Sequence, residues 1–248
     1  MLQVDPSLDG KVVALRPSQI KFKSSSAQLA IAGTFDAGQA FLNRPLVTLL
    51  EGLGIQPQRF LNLQLKATRS IRKARISLVG AVALLDDWNL APSTSLSSTL
   101  AFLAELSPST SKAAFSNSFI ARCLDVVVVH ALRDIKYSAR IPLSGCYNLV
   151  GVLDVDGFLA ADRVYVRLAH KDGKTEFLKG TVAISRSPTN HPGDVRLVEA
   201  VGQLPRGVGE RIRGLTNCVV FSCHGASGSS LVLAGSGACL STSSYDGA

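Results

Sequence analysis

The sequence lacks the features that mark disordered, membrane and secreted proteins. Only 18% of its 248 residues are charged and 46% are hydrophobic, which excludes a disordered chain because a sizeable core can be buried. Apolar runs such as 124–129 fall short of the ~20 residues that span a bilayer. Residues 1–10 show no secretory signal, and five scattered cysteines make no disulfide framework. The sequence therefore predicts an intracellular protein, cytoplasmic or nuclear, that is not secreted and does not enter a membrane.

Acidic residues are also scarce, and one long stretch has none. The chain carries 26 Lys+Arg against 18 Asp+Glu, a formal net charge of +8. No acidic residue lies between Glu51 and Asp86, whereas six basic residues do: Arg59, Lys66, Arg69, Arg72, Lys73 and Arg75. A polyanionic partner is one interpretation. A solvated basic helix face is the other, and it is favoured for this stretch taken alone.

The spacing of apolar residues predicts strands, then helices, then strands. Short strand-like runs lie in the first forty residues, at 11–15, 20–22 and 29–31. Helical spacing follows at about 39–53, 57–85, 97–106 and 112–136. Strand-like runs return at 140–143, 149–153, 164–168, 177–185, 195–201 and 218–222. Little packed structure is expected in the segment from Gly225 to Ala248, which is rich in Gly, Ser and Ala.

The helix predicted over 112–136 has the clearest periodicity. An apolar stripe with steps of three and four residues is formed by Ile120, Leu124, Val127, Ala131 and Ile135. Because the valines at 126–129 are β-branched, a strand there stays open as an alternative. His130 is interpreted as a hydrogen-bonded core residue of this helix.

Two groups of residues could bind a metal, and a structural interpretation is favoured for each. Asp154-Val-Asp156-Gly157 could hold a divalent cation, but a hairpin turn needs the same residue types, and Phe158 stands where a further carboxylate would be wanted. Cys218, Cys223 and His224 lack a second pair at zinc spacing, so Cys218 is interpreted as part of a buried strand. No glycine-rich nucleotide-binding loop occurs.

Two stiff segments carry basic residues between strand-like runs. In 184–194, two prolines fix the backbone around Arg186 and His191, and in 15–22 a rigid turn lies between Arg16 and Lys21. These segments belong to a series of motifs in one collinear order, at 4–8, 15–22, 41–47, 132–142 (LRDIKYSARIP), 145–154 (GCYNLVGVLD), 184–188, 191–198 and 217–222. On these motifs the sequence resembles the cellular RNA-dependent RNA polymerases of RNA silencing, most closely their fungal branch.

The resemblance implies an α+β fold with parts of two double-psi β-barrels connected by a helical segment, incomplete at both ends. The predicted regions are a partial first barrel (1–38), a helical connection (39–139), a partial second barrel (140–235) and a divergent Gly/Ser-rich tail (236–248). Family members join nucleoside triphosphates on an RNA template. Two Mg²⁺ ions, held by an Asp-x-Asp-Gly-Asp loop after the strand that resembles 217–222, stabilise the reacting phosphate.

This sequence departs from the family at that loop, because Asp246 is the only acidic residue after Arg211. The sequence therefore indicates a partial polymerase core that holds no Mg²⁺ tightly and is inactive as it stands, with no catalytic or metal residue assigned. The resemblance implies RNA and triphosphate contacts at Arg16, Lys21, Lys136, Arg140, Arg186 and His191. A non-catalytic RNA-binding remnant is the alternative function, and protein partners are not indicated.

Overall fold

A computed structural model describes residues 8–15, 20–24, 26, 28, 37–106, 108–170, 173–205, 207–224 and 238–242. The fold is mixed α/β, and the chain divides into two compact units. We call residues 38–149, 181–197 and 236–248 the helical unit, and residues 1–37, 150–180 and 198–235 the strand unit. The domain boundaries expected from the sequence stay a prediction.

The helical unit contains a series of helices in chain order. They are α1 (Arg44–Gly52), α2 (Pro57–Lys73), α3 (Leu78–Asp87), α4 (Leu96–Leu106), α5 (Pro108–Ser116) and α6 (Ser118–Ser138). The apolar stripe predicted for α6 is confirmed, since Leu124, Val127, Ala131 and Ile135 are buried in it. The run of valines is helical, and its outer members are exposed while its inner two are buried. Together with buried residues of α1 to α5, this stripe forms one apolar core.

Three predicted helices differ from the structure at their ends. The helix expected from residue 39 begins only at Arg44, after strand β1 (Gly38–Phe41), because the Asn43 side chain accepts a hydrogen bond from the Leu46 amide at 2.8 Å. The helix expected over 57–85 is two helices, and Ser77 caps the second by accepting from the Gly80 amide. Asn117 caps α6 in the same way, which divides the helix expected over 112–136.

The strands of the helical unit form one sheet. The first half of β2 (Pro142–Leu153) pairs antiparallel with β1 and with β8 (Ala238–Thr242), and β8 pairs antiparallel with residues 182–186 of β5 (Lys179–Arg186). The expectation of little packed structure after Gly225 is therefore wrong at β8. Pairing with β2 on one side and with β5 on the other satisfies the backbone groups of this short run.

The central strand of the strand unit is the last of its strands in sequence order. β7 (Cys218–Phe221) pairs in parallel with residues 150–153 of β2 and antiparallel with β3 (Arg163–Ala169). β3 also pairs with β4 (Thr175–Phe177) and with the end of β6 (Val195–Val201). A short helix, α7 (Glu210–Arg213), precedes β7. The core includes Tyr165, Cys218 and Val220, and burial raises the pKa of Tyr165 and raises that of the Cys218 thiol to about 11.

The strands expected near the beginning of the chain are not confirmed. Residues 11–15 and 20–22 are not in strands, and their apolar side chains are exposed. Within the described part of the chain no strand pairs with them, and an unpaired extended run gains no ladder hydrogen bonds. The run expected at 29–31 lies outside the described residues. Among the helices that are described, none is both long and apolar enough to cross a membrane.

Candidate nucleic-acid interface

Four of the six predicted RNA-contacting residues lie in the helical unit. Lys136 and Arg140 flank the end of α6, and Arg186 and His191 lie at and after the end of β5. Lys21 is exposed in the strand unit, and Arg16 lies outside the described residues.

The end of α6 presents its last basic residues to solvent. Ala139 ends the helix in the left-handed conformation (φ 50°), and its amide donates to the carbonyl oxygens of Asp134 and Ile135. Lys136 is exposed, with its Nζ 5.0 Å from the centre of the Tyr137 ring. A cation at the last turn is favoured by the negative end of the helix dipole. The local backbone thus holds Lys136 and Arg140 on either side of one sharp turn.

Arg140 is held by aromatic rings rather than by a tight ion pair. Its guanidinium carbon lies 4.3 Å from the centre of the Phe41 ring and 5.9 Å from that of Trp88. The Asp134 carboxylate is 3.9 Å from Nη1. The side chain is still 40% exposed, so part of its fork of N–H donors faces solvent. An Arg stacked in this way has lost its freedom before a ligand arrives, which favours phosphate binding.

A shallow groove of about 450 Å³ lies beside these residues on α6. It is lined by His130, Arg133, Asp134 and Tyr137. His130 is 59% exposed with its Nδ1 3.8 Å from the Asp134 carboxylate, so the interpretation of His130 as a core residue is wrong. The reason is positional, because the buried stripe runs through Val127 and Ala131 and leaves residue 130 on its flank.

The loop after β5 is organised by one carboxylate. Asp194 accepts hydrogen bonds from the amides of Asn190 and His191, both at 2.9 Å, and lies 3.4 Å from Nε of Arg186. His191 in turn accepts from the Gly193 amide through Nδ1 at 3.0 Å, which places the proton of a neutral ring on Nε2. The two amides, followed by Arg186, lower the pKa of Asp194 below its ordinary value of 3.8.

Replacing Asp194 with asparagine should abolish an acid titration of this loop. A lowered folded-state pKa means that the carboxylate stabilises the loop fully above about pH 4, and that this is lost as the pH falls through the folded-state pKa. In the wild-type chain, the NMR shifts of the Asn190 and His191 amides should titrate with a midpoint below 3.8. They should not titrate in the variant. A wild-type midpoint at or above that value would contradict the geometry.

The Asp154 segment is a turn, and the carboxylate of Asp154 is buried and hydrogen-bonded within it. Asp154 is 0% exposed, and its two oxygens accept from the amides of Gly157 at 3.0 Å and Leu159 at 2.7 Å. The favoured turn is confirmed, but the expected hairpin is wrong. In the described part of the chain β2 and β3 are not partners, since β7 pairs with both.

The described residues do not provide the cluster of carboxylates that holds two Mg²⁺ ions in the polymerase family that the sequence resembles. No group of three or more His, Cys, Asp or Glu side chains that could hold a metal occurs among them. Cys218 lies in a buried strand, as expected, while Cys223 is exposed and His224 Nε2 lies 3.0 Å from the Gly157 carbonyl oxygen. The burial of Cys218 and the hydrogen bond of His224 agree with the structural interpretation of these residues.

The sequence did not indicate the partners that position Arg140. Phe41 comes from β1 and Trp88 from the end of α3, and only the tertiary fold brings these two rings to Arg140, whereas Asp134 is its neighbour at the end of α6. Aromatic residues near a motif carry no signal of stacking by themselves. Only the motif around Arg140 indicated this position.

Comparisons with known proteins give one consistent result. The family model for RNA dependent RNA polymerase matches residues 1–247. The chain is 28% identical over 242 residues to "Probable RNA-dependent RNA polymerase 2" of Oryza sativa subsp. japonica, covering 91% of this chain and 20% of that protein. It is also 28% identical over 242 residues to "RNA-dependent RNA polymerase 1" of Schizosaccharomyces pombe, covering 87% of this chain and 18% of that protein.

A solved structure supports the same relationship at the level of fold. "RNA dependent RNA polymerase QDE-1 from Thielavia terrestris" matches with a TM-score of 0.52 and 18% identity, covering 83% of this chain and 25% of that one. The chain thus spans about a fifth of the length of these two curated relatives. Because the family model extends over nearly every residue, the prediction from the sequence motifs is confirmed, and this chain belongs to the RNA-dependent RNA polymerase family.

Proposed function

We propose that this protein acts in template-directed RNA synthesis from nucleoside triphosphates, in RNA silencing, and that this chain supplies contacts to RNA phosphates. The observation that carries the proposal is the family match over residues 1–247. Intracellular action, in the cytoplasm or nucleus, belongs to the same proposal.

The geometry at the end of α6 supports a phosphate-binding role. Lys136 is exposed, and Arg140 is stacked on Phe41 with part of its guanidinium facing solvent. Arg186 and His191 border a loop that Asp194 holds in one shape. Cations held in place before binding attract phosphate without paying the full cost of ordering long side chains. Arg16 and Lys21 are proposed as further contacts by resemblance alone.

We further propose that this polypeptide alone does not accelerate phosphoryl transfer. The family's Mg²⁺ pair would neutralise charge on the reacting phosphate, and hard cations of this kind require clustered carboxylates. Asp154 is a poor candidate, because its carboxylate is completely buried and holds the backbone of its own turn through two hydrogen bonds. The residues described here therefore support RNA binding and give no basis for a catalytic step.

A finer description of the fold is proposed on the same grounds. The mixture of parallel and antiparallel pairing around β7 and β3 is consistent with part of a double-psi β-barrel in the 140–235 region. A partial first barrel over 1–38, the helical connection over 39–139 and the tail over 236–248 complete the proposed organisation.

The proposal is tested by measuring RNA binding and nucleotide incorporation on the same purified chain. We expect RNA to bind with an affinity that falls steeply with salt, and K136Q/R140Q to reduce the slope of log K against log[salt] by about 2. We expect no template-dependent incorporation with Mg²⁺ and all four triphosphates. Matched melting temperatures would show that the variant is folded. R140K should restore the salt slope that R140Q loses, because lysine keeps the charge, but only part of the affinity, because lysine lacks the planar guanidinium that stacks on Phe41.

The matched control is K112Q/R122Q, which removes the same charge from exposed positions on α5 and α6. It should leave the slope within experimental error of the wild type. If both double variants reduced the slope equally, RNA binding would depend on the net charge of the chain and not on contacts at Lys136 and Arg140. Robust nucleotide incorporation would contradict the proposal that this chain alone is inactive. The absence of any RNA binding would contradict the proposed function.

A further inference from the structure

Helix α2 carries a straight row of cations along its outer side. Arg59, Lys66 and Lys73 recur every seven residues, which is close to two helical turns, so their side chains lie nearly in line. Arg69 lies beside this row at helical spacing from Lys66 and Lys73. We call these four residues the α2 ridge. At 1.5 Å per residue, the ridge extends over about 21 Å.

The ridge is exposed and its charge is not neutralised within the described part of the chain. All four side chains are exposed, and the helix buries a different side through Phe60, Ala67 and Ile71. Among the basic residues of the acid-free stretch, the one with a described ion pair is Arg75, which lies beyond the helix and is 2.7 Å from Asp125. The α2 ridge is therefore a positive surface with no ion-pair partner in the described part of the chain.

We infer that the α2 ridge binds the phosphate backbone of double-helical RNA. This inference rests on the proposed function, because RNA synthesis on an RNA template makes a duplex product. The ridge is separate from the candidate contacts at the end of α6, since α2 contributes none of them. Charge complementarity supports this choice of ligand, because exposed cations without acidic partners attract the closely spaced phosphates of RNA.

The lack of an exposed aromatic side chain on α2 favours a duplex over a single strand. Proteins that bind single-stranded nucleic acid stack unpaired bases on aromatic rings. Phe60, the aromatic residue of α2, is buried at 9% exposure. Double-stranded RNA is recognised mainly through its shape, phosphates and 2′-hydroxyls, and cations alone can supply the phosphate contacts.

Other anionic partners fit the ridge less well. A helix that binds a membrane surface inserts its apolar face, whereas the apolar face of α2 is already buried in the core. An acidic protein partner would use the exposed Leu61 and Leu65 on the flank of the ridge as apolar contacts. Binding that depends on these leucines rather than on the cations would be the signature of such a partner.

The test measures binding of the full chain to a 20-base-pair duplex RNA over a range of salt concentrations. The variant R59Q/K66Q/K73Q removes three cations of the ridge, and R44Q/K112Q/R122Q removes three exposed cations that form no row. Removing three phosphate contacts should reduce the slope of log K against log[salt] by about 3. Duplex affinity near 0.1 M salt should fall on the order of tenfold or more, whereas the control should stay near the wild type.

Further arms separate the ligands and the two proposals. Single-stranded RNA of the same sequence should lose less affinity in the ridge variant than the duplex does. L61A/L65A should leave duplex affinity unchanged. If the ridge variant binds duplex as tightly as the control while K136Q/R140Q is impaired, the inference is wrong and the proposed function stands. If the wild type binds no RNA, or binds only anionic vesicles, both are wrong.

Discussion

Replacing Asp154 with alanine should lower the free energy of unfolding of this protein by about 2–4 kcal/mol. The carboxylate is completely buried and accepts two backbone hydrogen bonds, from Gly157 and Leu159. Alanine leaves both amides without an acceptor in the same confined turn. Because the Asp154 amide also donates to the carbonyl oxygen of Phe221 at 2.8 Å, disorder in the turn should spread to β7.

Urea denaturation followed by circular dichroism measures this loss, and D156A provides the control. Asp156 lies in the same turn but is exposed, so its replacement should cost less than about 1 kcal/mol. Similar costs for the two variants would show that the turn does not depend on the buried carboxylate. D154N should be intermediate, since an amide keeps one oxygen acceptor but turns N–H donors toward backbone N–H groups.

Replacing Leu124 with alanine should cost about 2–5 kcal/mol of unfolding free energy. Leu124 is 2% exposed in the first half of α6, where it packs in the core of the helical unit. Truncation removes buried methyl groups and leaves a cavity that a close-packed core fills only in part. Since α6 also carries Lys136, RNA binding should weaken at temperatures where the variant begins to melt.

L65A is the matched control, because it makes the same chemical change within another helix. Leu65 is 53% exposed on α2, so alanine removes little buried surface and has the higher helix propensity. We expect a change within about 0.5 kcal/mol. Differential scanning calorimetry of the two variants should show a large fall in Tm for L124A alone. Equal falls would contradict the assignment of Leu124 to the core.

The sequence predicted those elements in which apolar residues repeat regularly over several helical turns. The stripe through Leu124, Val127 and Ala131 predicted which side of α6 is buried, because burial imposes the helical period on apolar residues. Helix ends were predicted less well. Single capping side chains at Asn43, Ser77 and Asn117 set them, and a cap leaves no periodic trace in the sequence.

Contacts between segments that are distant in the chain were not predicted from the sequence. β8 lies in a stretch whose composition resembles a linker, and its strand conformation depends on β2 and β5. The setting of Arg140 likewise depends on Phe41 and Trp88, which are remote in sequence. The motif resemblance identified Arg140 as a candidate contact, while its orientation follows from tertiary packing alone.

The position of β7 between β2 and β3 has a consequence for synthesis of the chain on the ribosome. β2 and β3 emerge first, but their shared neighbour begins only at Cys218, 68 residues after its partner Val150. Contacts of such high sequence separation form slowly and late. Until then the facing edges of both strands stay open to pairing with another chain. This interval is the time at which a nascent molecule would most need a chaperone.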